Sequence, residues 1–156
     1  MNHYYSNNTN LEHEFQNFTF TLKGKQFKFT TDSGVFSKAT IDYGSRVLID
    51  TFSAENLPAG PLLDVGCGYG PIGLSLAYAW QREVEMVDVN ERALALAQKN
   101  ADQNQIENVD VHLSNIYENV HQKQYAAIIS NPPIRAGKKV VHTILADSYD
   151  LLLPGG

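Results

Sequence analysis

From residue 60 onward the sequence alternates short apolar runs with helical patterns, and this alternation limits the possible folds more than any other feature of the chain. Residues 61–65 read as a buried strand, 71–80 as a helix, 84–89 as a strand and 90–102 as a helix. Residues 109–113 and 125–130 read as further strands, and 137–153 as a last helix. Strands separated by helices of about 10 to 15 residues pair in parallel, with helices packed on both faces of the sheet. The expected class is α/β, an open, doubly wound, mostly parallel sheet. Ligands bind such sheets at the carboxyl ends of the strands, in the crevice where strand order reverses. Chemistry is therefore to be sought just after Val65, Val87, Leu113 and Ser130.

The region before residue 60 has a different pattern. Residues 18–22 and 26–30 alternate apolar and polar positions around Lys23-Gly-Lys25, which predicts a β-hairpin with Phe18, Phe20 and Leu22 on one face. A helix is expected from Asp42 or Ser45 to about Ser53, with Val47, Leu48 and Phe52 on one side. Residues 1–15 are rich in Asn, Tyr and Ser and read as a flexible arm, leaving 16–156 as a single domain. The formal net charge of −5 excludes holding a polyanion by bulk charge. Residues 16–46, however, carry five basic residues against two acidic ones, whereas 47–156 carry seven against thirteen. The first segment is either a polyanion-facing lip or an ordinary solvated surface. The single cysteine, Cys67, forbids an intrachain disulfide and suggests a reducing, cytoplasmic setting. The longest nearly apolar stretch, residues 72–80, is about half of the roughly 20 residues needed to span a bilayer, so no membrane association is expected. His3, His13, His112, His121 and His142 show no metal-ligand spacing, and no metal is expected.

After the first of the parallel strands comes Asp64-Val-Gly-Cys-Gly-Tyr-Gly70. Gly66, Gly68 and Gly70 between a strand and a helix allow positive φ and let a ligand approach the backbone closely, which points to a nucleotide-like ligand. Gly68-Tyr-Gly-Pro-Ile-Gly73 also fits the dinucleotide pattern, with Asp88 about 20 residues on, where a ribose-binding acid belongs. Asp64 separates the two readings. A carboxylate beside a pyrophosphate is repelled, but beside the ammonium of a methionyl group it is attracted, which favours S-adenosylmethionine over NAD. Asp64 and Asp88 also have ordinary uses, as loop-ordering or helix-capping acids. Cys67 has no basic neighbour to activate it and reads as a small buried filler.

The apolar run 125–130 ends on Asn131-Pro-Pro133. Residues before proline avoid the α region, so Asn131 and Pro132 are held extended, and neither Pro132 nor Pro133 donates a backbone hydrogen bond. The Asn131 side-chain oxygen and the Pro132 carbonyl would then offer fixed acceptors to a planar amino group. Acceptors aimed where its N–H bonds point as the nitrogen pyramidalises favour the transition state over the ground state. The plainer reading is a chain-turning element after a strand.

These residues carry a resemblance. Leu63-Asp-Val-Gly-Cys-Gly-Tyr-Gly-Pro-Ile-Gly73 resembles the first motif of class I S-adenosylmethionine-dependent methyltransferases, and Asn131-Pro-Pro-Ile134 resembles their amino-methylating signature. Ser33-Gly-Val-Phe-Ser37, Asp42-Tyr-Gly-Ser45 and the run from Asn131 to Lys138 are similar to single-domain relatives of the ribosomal RNA small-subunit guanine-N2 methyltransferases. The resemblance implies a Rossmann-like sheet and methyl transfer to guanine N2 of small-subunit ribosomal RNA, free or in a particle. It also implies that the chain ends before the last C-terminal strands of that fold, leaving an apolar sheet edge. Asp64, Gly66, Gly68 and Gly70 would line the methionine end of the cofactor, Asp88 would accept from the ribose hydroxyls, and Asn115 would read the adenine amino group. Asn115 stands where the family commonly has Asp, and it could equally be a turn residue. Phe36 and Ser37 would close over the site. Ile134, Arg135 and Lys138 would flank the target, with Lys139, Lys23, Lys25, Lys28 and Lys38 as phosphate contacts. Ile134 replaces the aromatic residue common in adenine-N6 and glutamine methylators, and so counts against those acceptors. The alternatives are methylation of adenine N6 or a protein glutamine by the same fold, and a noncatalytic cofactor- or RNA-binding module.

Overall fold

The computed structural model describes residues 13–36, 40–122, 124–133 and 136–156. It contains an antiparallel hairpin, β1 (Phe15–Leu22) and β2 (Lys25–Asp32), and a parallel sheet of β3 (Leu62–Val65), β4 (Val84–Asp88), β5 (Val109–Leu113) and β6 (Ala127–Ser130). The helices are α1 (Tyr43–Thr51), α2 (Pro71–Trp80), α3 (Glu91–Gln103) and α4 (Gly137–Ser148). The parallel sheet has the order β5-β4-β3-β6. The chain thus steps outward from β3 to β5 and then returns to the other side of β3. Strand order reverses between β3 and β6, and this reversal is the expected ligand crevice.

Local sequence explains most of the element boundaries. Pro71 opens α2 in the first turn, where its missing N–H costs nothing, and residues 71–77 of this helix are buried. Asn90 caps α3 by accepting from the amides of Arg92 at 2.9 Å and Ala93 at 3.2 Å. Asp42 caps α1 by accepting from the Ser45 amide at 3.2 Å. Gly73 permits α2 to pack tightly on β4, since a Cβ there would lie 2.7 Å from the Met86 side chain.

The main core lies between the sheet, α2, α3 and the hairpin, with Phe27, Phe29, Leu62, Leu74, Met86 and Ala97 fully buried. A smaller core of Leu63, Val65, Val87, Tyr125, Val140 and Ile144 holds α4 on the opposite face. The hairpin does not extend the parallel sheet. Its β2 edge instead meets two α3 side chains that imitate a neighbouring strand. Asn100 accepts from the Thr30 amide at 2.8 Å and donates to the Thr30 carbonyl at 2.9 Å. Asn104 does the same for Lys28, at 2.9 Å in both directions. Asn100 also donates to the Tyr69 carbonyl at 2.8 Å, joining the hairpin to the glycine loop. Arg92 and His13 meet the buried Asp32 carboxylate at 2.9 and 2.6 Å. Burial pushes the Asp32 carboxyl up, but the Glu14 amide, His13, Arg92 and the Gly34 amide together outweigh it and hold it well below the usual carboxylate range.

Several other bounds shift by one or two residues, and four larger details differ from the sequence reading. The hairpin begins at Phe15, taking in a residue assigned to the arm, because the backbone ladder runs on to pair Phe15 with Asp32. In α1 the buried side chains are Ser45 and Ile49, and Val47 is exposed. Strand β6 starts two residues late, since Tyr125 makes a parallel bridge to Leu152 instead. The last helix stops at Ser148, and a 3-10 turn over Tyr149–Leu151 swings the chain back beside Tyr125.

Replacing Asn100 by Leu leaves the buried Thr30 amide and carbonyl without partners. We expect this substitution to cost about 2–4 kcal/mol, measured by urea-induced equilibrium unfolding.

Candidate active site at the β3–β6 crevice

Strand register gathers the predicted residues at one edge of the sheet. Val65 of β3 lies opposite Val87 of β4 on one side and Ser130 of β6 on the other, and Asp88 lies opposite Leu113. The Ser130 hydroxyl donates to the Val65 carbonyl at 2.8 Å, fastening the two strand ends together at the reversal point. The glycine loop and Asn131 therefore leave the sheet side by side.

The loop folds over the end of β4. The amides of Gly66 and Cys67 both donate to the Val87 carbonyl at 2.9 Å. Gly66, Gly68 and Gly70 have φ of 75°, 57° and 109°. At Gly70 a side chain would be strained by this φ, and its Cβ would meet Leu74 at 2.9 Å. Asp88 accepts from the Gly68 and Asn90 amides, each at 2.9 Å, so it holds the loop against β4. Burial raises its carboxyl above the ordinary value, against the lowering pull of those amides. Cys67 is buried and its thiol is pushed up by burial and by the nearby Asp88 and Asp64 carboxylates, which makes it an inert filler. Phe36 lies against Gly68 and meets Tyr69 edge-on at 5.1 Å, covering the loop from the N-terminal side.

Asp64 sits under the loop, 2% exposed, and accepts from the Gly73 amide at 2.9 Å. Burial, opposed by the Gly73 amide and aided by the Asp88 charge, pushes its carboxyl up to about 7. A buried carboxylate with no cationic partner among the described residues, in a concave backbone loop, is a poor neighbour for pyrophosphate. The donor set fits a cationic, methionyl-bearing nucleoside.

Asn131 is fixed by its amide nitrogen, which donates to Asp42 Oδ2 at 2.9 Å and to Ser45 Oγ at 3.1 Å. A carboxylate can only accept, so the NH2 side must face Asp42, which settles the orientation of the amide. Oδ1 remains as an acceptor, and among the described residues no donor is aimed at it. The Asp42 carboxyl is pushed up by burial but held below its ordinary value by hydrogen bonds from Ser45 and Asn131. Sequence reading took Asp42 and Ser45 as a helix start and missed this second role. The cap pattern was visible, but its contact with a residue 89 positions away was not.

The remaining predicted residues are less concentrated. Asn115 follows β5 and is exposed, lining a groove with Ile116, Tyr117, Lys139, Thr143 and Asp147. Its neighbour Ser114 is the buried turn-former, donating to the Ile116 carbonyl at 2.7 Å. Pro132 lines an apolar groove of about 410 Å³ beside the outer edge of β6, together with Leu48, Phe52, Ile128, Val141 and Leu145. The Pro133 carbonyl accepts from the Ala136 amide at 2.9 Å, leading into α4. Lys138 is exposed in the first turn of α4. Lys25 extends over the Phe27 and Tyr78 rings, and Lys23 donates to the Asp50 carbonyl at 3.3 Å. Ser37, Lys38, Ile134 and Arg135 lie outside the described residues.

A glycine cradle, two strand-end acids and an oriented asparagine at the reversal of a parallel sheet define a class I methyltransferase. Residues 26–156 match the methyltransferase small domain family, and the chain belongs to that family of S-adenosylmethionine-dependent enzymes. An uncharacterized protein of Bacillus subtilis, YbxB, is 51% identical over 156 residues, which cover 99% of this chain and 77% of that protein. Ribosomal RNA small subunit methyltransferase C of Vibrio parahaemolyticus is 36% identical over 129 residues, 82% of this chain and 36% of the relative. The chain spans less than half the length of the methyltransferase C relatives it matches. The T. thermophilus 16S rRNA N2 G1207 methyltransferase, solved with AdoMet and guanosine, has a TM-score of 0.80 at 24% identity, over 91% of this chain and 40% of that one. M. jannaschii TYW2, solved with AdoMet, has a TM-score of 0.62 at 16% identity, over 91% of this chain and 61% of that one.

Because folding raises the Asp64 pKa, its contribution to stability is full at low pH and is lost as pH rises toward and through about 7. Asp64→Asn removes this loss. The variant is expected to gain melting temperature relative to the parent protein between about pH 5 and pH 8, as followed by circular dichroism. A difference that stays constant across that range contradicts the assignment.

Proposed function

We propose that this chain transfers a methyl group from S-adenosylmethionine to an exocyclic amino group, with guanine N2 of small-subunit ribosomal RNA as the acceptor. The observation that carries the reading is the Asn131 amide, whose NH2 is held by Asp42 and Ser45 beside the glycine loop. Its oxygen is thereby presented as a fixed hydrogen-bond acceptor.

Asp64 and the residue 66–70 backbone would hold the methionyl end, Asp88 the ribose and Asn115 the adenine. When bound, the cofactor supplies an electrophilic methyl whose transfer forms a C–N bond, returns the C–S electron pair to sulfur and leaves an aminium proton to be lost to solvent. Asn131 Oδ1, with the Pro132 carbonyl, would accept from the target N–H groups and favour the pyramidal nitrogen of the transition state. Asp42 and Ser45 act through Asn131 as positioning residues, since rotation of the amide would replace an acceptor with a donor. No strong base is needed, because the nitrogen becomes acidic only as the bond forms. Phe36 excludes water above the loop.

The names of the curated relatives support ribosomal RNA as the acceptor, and Ile134 in place of an aromatic residue favours guanine over adenine or glutamine. Lys138 and Lys139, with the hairpin lysines, would meet phosphates. Among the described residues no helix is long and apolar enough to cross a membrane.

Asn131→Ala is expected to abolish methylation of ribosomal RNA while leaving S-adenosylmethionine affinity within a few-fold, by filter-binding assay and isothermal titration. Normal turnover in this variant refutes the mechanism. Asp42→Ala should lower kcat at least about tenfold with little change in KM for the cofactor, since it frees the amide without touching the cradle. Titration with NADH should give no heat of binding, and the opposite result restores NAD as the ligand of the glycine loop.

A further inference from the structure

A second cluster of chemically active side chains lies away from the crevice. Glu85 is on β4, Asp110 and His112 are on the adjacent β5, and His121 lies in the connection toward β6. One ligand atom from each falls within 4.8 Å of all the others. Glu85 is three residues before Asp88, about 10 Å along the strand, and alternation puts the two side chains on opposite faces. The cluster is therefore distinct from the cofactor cradle.

Its hydrogen bonding brings two imidazole nitrogens onto two carboxylate oxygens, contacts that either protons or a cation can bridge. His112 Nδ1 lies 3.2 Å from the Leu113 carbonyl, an acceptor that favours the tautomer with its proton on Nδ1. Its Nε2 then faces Glu85 Oε2 at 2.5 Å, and in a neutral ring two lone pairs would oppose each other there. His121 Nδ1 faces Asp110 Oδ2 at 2.6 Å, a contact that a neutral ring protonated at Nδ1 makes as a donor. The two imidazoles are stacked, with centroids 3.7 Å apart and planes within 7°. A second proton on His112 would put a positive ring face to face with the neutral His121. One divalent cation shared among the four groups would replace both protons and would be neutralised by the two carboxylates.

We propose that Glu85, Asp110, His112 and His121 form a structural Zn2+ site. Two imidazoles favour a transition metal over calcium or magnesium, and four nitrogen and oxygen donors suit the tetrahedral preference of zinc. Bonds of about 2.0–2.2 Å require ligand atoms about 3.3 Å apart, so on binding the two short contacts open, the wider ones close, and the exposed His121 ring turns out of the stack to aim its nitrogen at the ion. The groups behind the ligands are already in place. Glu85 accepts from the Tyr125 hydroxyl at 2.5 Å, the His121 amide at 2.7 Å and the Gln122 amide at 3.3 Å. The Leu113 carbonyl sets the His112 tautomer that leaves Nε2 free to ligate. Glu85 is buried and the His112 side chain is 16% exposed, whereas His121 and Asp110 are more than half exposed, which gives an ion a path from solvent. Such an ion would fasten the outer strand β5 to the connection that leads to Tyr125. The sequence could not show this, because the ligands come from three separate segments without a familiar spacing. The site does not depend on the methyl-transfer reading.

The test uses the whole chain, stripped with a chelator and titrated with Zn2+ by calorimetry and with Co2+ by visible absorption. One equivalent should bind, with a tetrahedral Co2+ spectrum and a higher melting temperature. His112→Gln and the solvent-exposed His121→Gln should each weaken binding at least tenfold and abolish the melting shift, while S-adenosylmethionine affinity in His121→Gln stays unchanged. Absence of a Co2+ spectrum overturns the proposal. So does a Zn2+ affinity that His121→Gln leaves unaltered, since His121 is exposed and its replacement does not threaten the fold.

Discussion

The buried amide of Asn100 makes two attachments at once. It pairs with the Thr30 backbone as a strand would, and it holds the Tyr69 carbonyl of the glycine loop. A hairpin lying outside the main sheet has an unpaired edge that must be satisfied, and α3 meets this need with side chains. Because the same amide reaches residue 69, the position of the hairpin and the shape of the cofactor loop are set by one group. The aromatic residues follow it: Tyr69 meets Phe18, Phe29 and Phe36 edge-on around this junction.

The site is assembled in the same economical way. Asp88 was expected to wait for a ribose, yet here both of its oxygens are held by backbone amides of the glycine loop and the α3 cap. Asp64 holds the first turn of α2. These acids shape the cradle while also lending it negative potential. On the proposed reading, a cationic cofactor would meet carboxyl groups already fixed in position, which lowers the cost of ordering them on binding.

The parallel sheet was legible because its signals are local. Residues 71–80 and 109–113 were assigned with the boundaries the structure has, as each carries its own periodicity and its own stop. Strand-end acids and glycines could also be read, since a strand pattern followed by a turn places them at the carboxyl edge by rule. What could not be read depends on contacts between distant segments. Asn100 and Asn104 look like helix-weakening polar residues until β2 lies beside them. Val47 and Ile49 are equally apolar, and only the neighbouring α2 decides which one faces inward. The partners of Asn131 and the meeting of Glu85 with His112 and His121 belong to the same kind of information.

The spans of these contacts divide the site in two. The bond from Asp64 to Gly73 closes 9 residues and that from Gly68 to Asp88 closes 20, whereas the clamp from Asp42 to Asn131 closes 89. Long closures carry the greater entropic cost and form late. On the proposed reading the cofactor cradle rests on short closures, the longest being the 31 residues from Tyr69 to Asn100, while the acceptor side waits for the 89-residue one. If that reading holds, the acceptor side, not the cradle, is the part of the site that depends on the whole chain being folded.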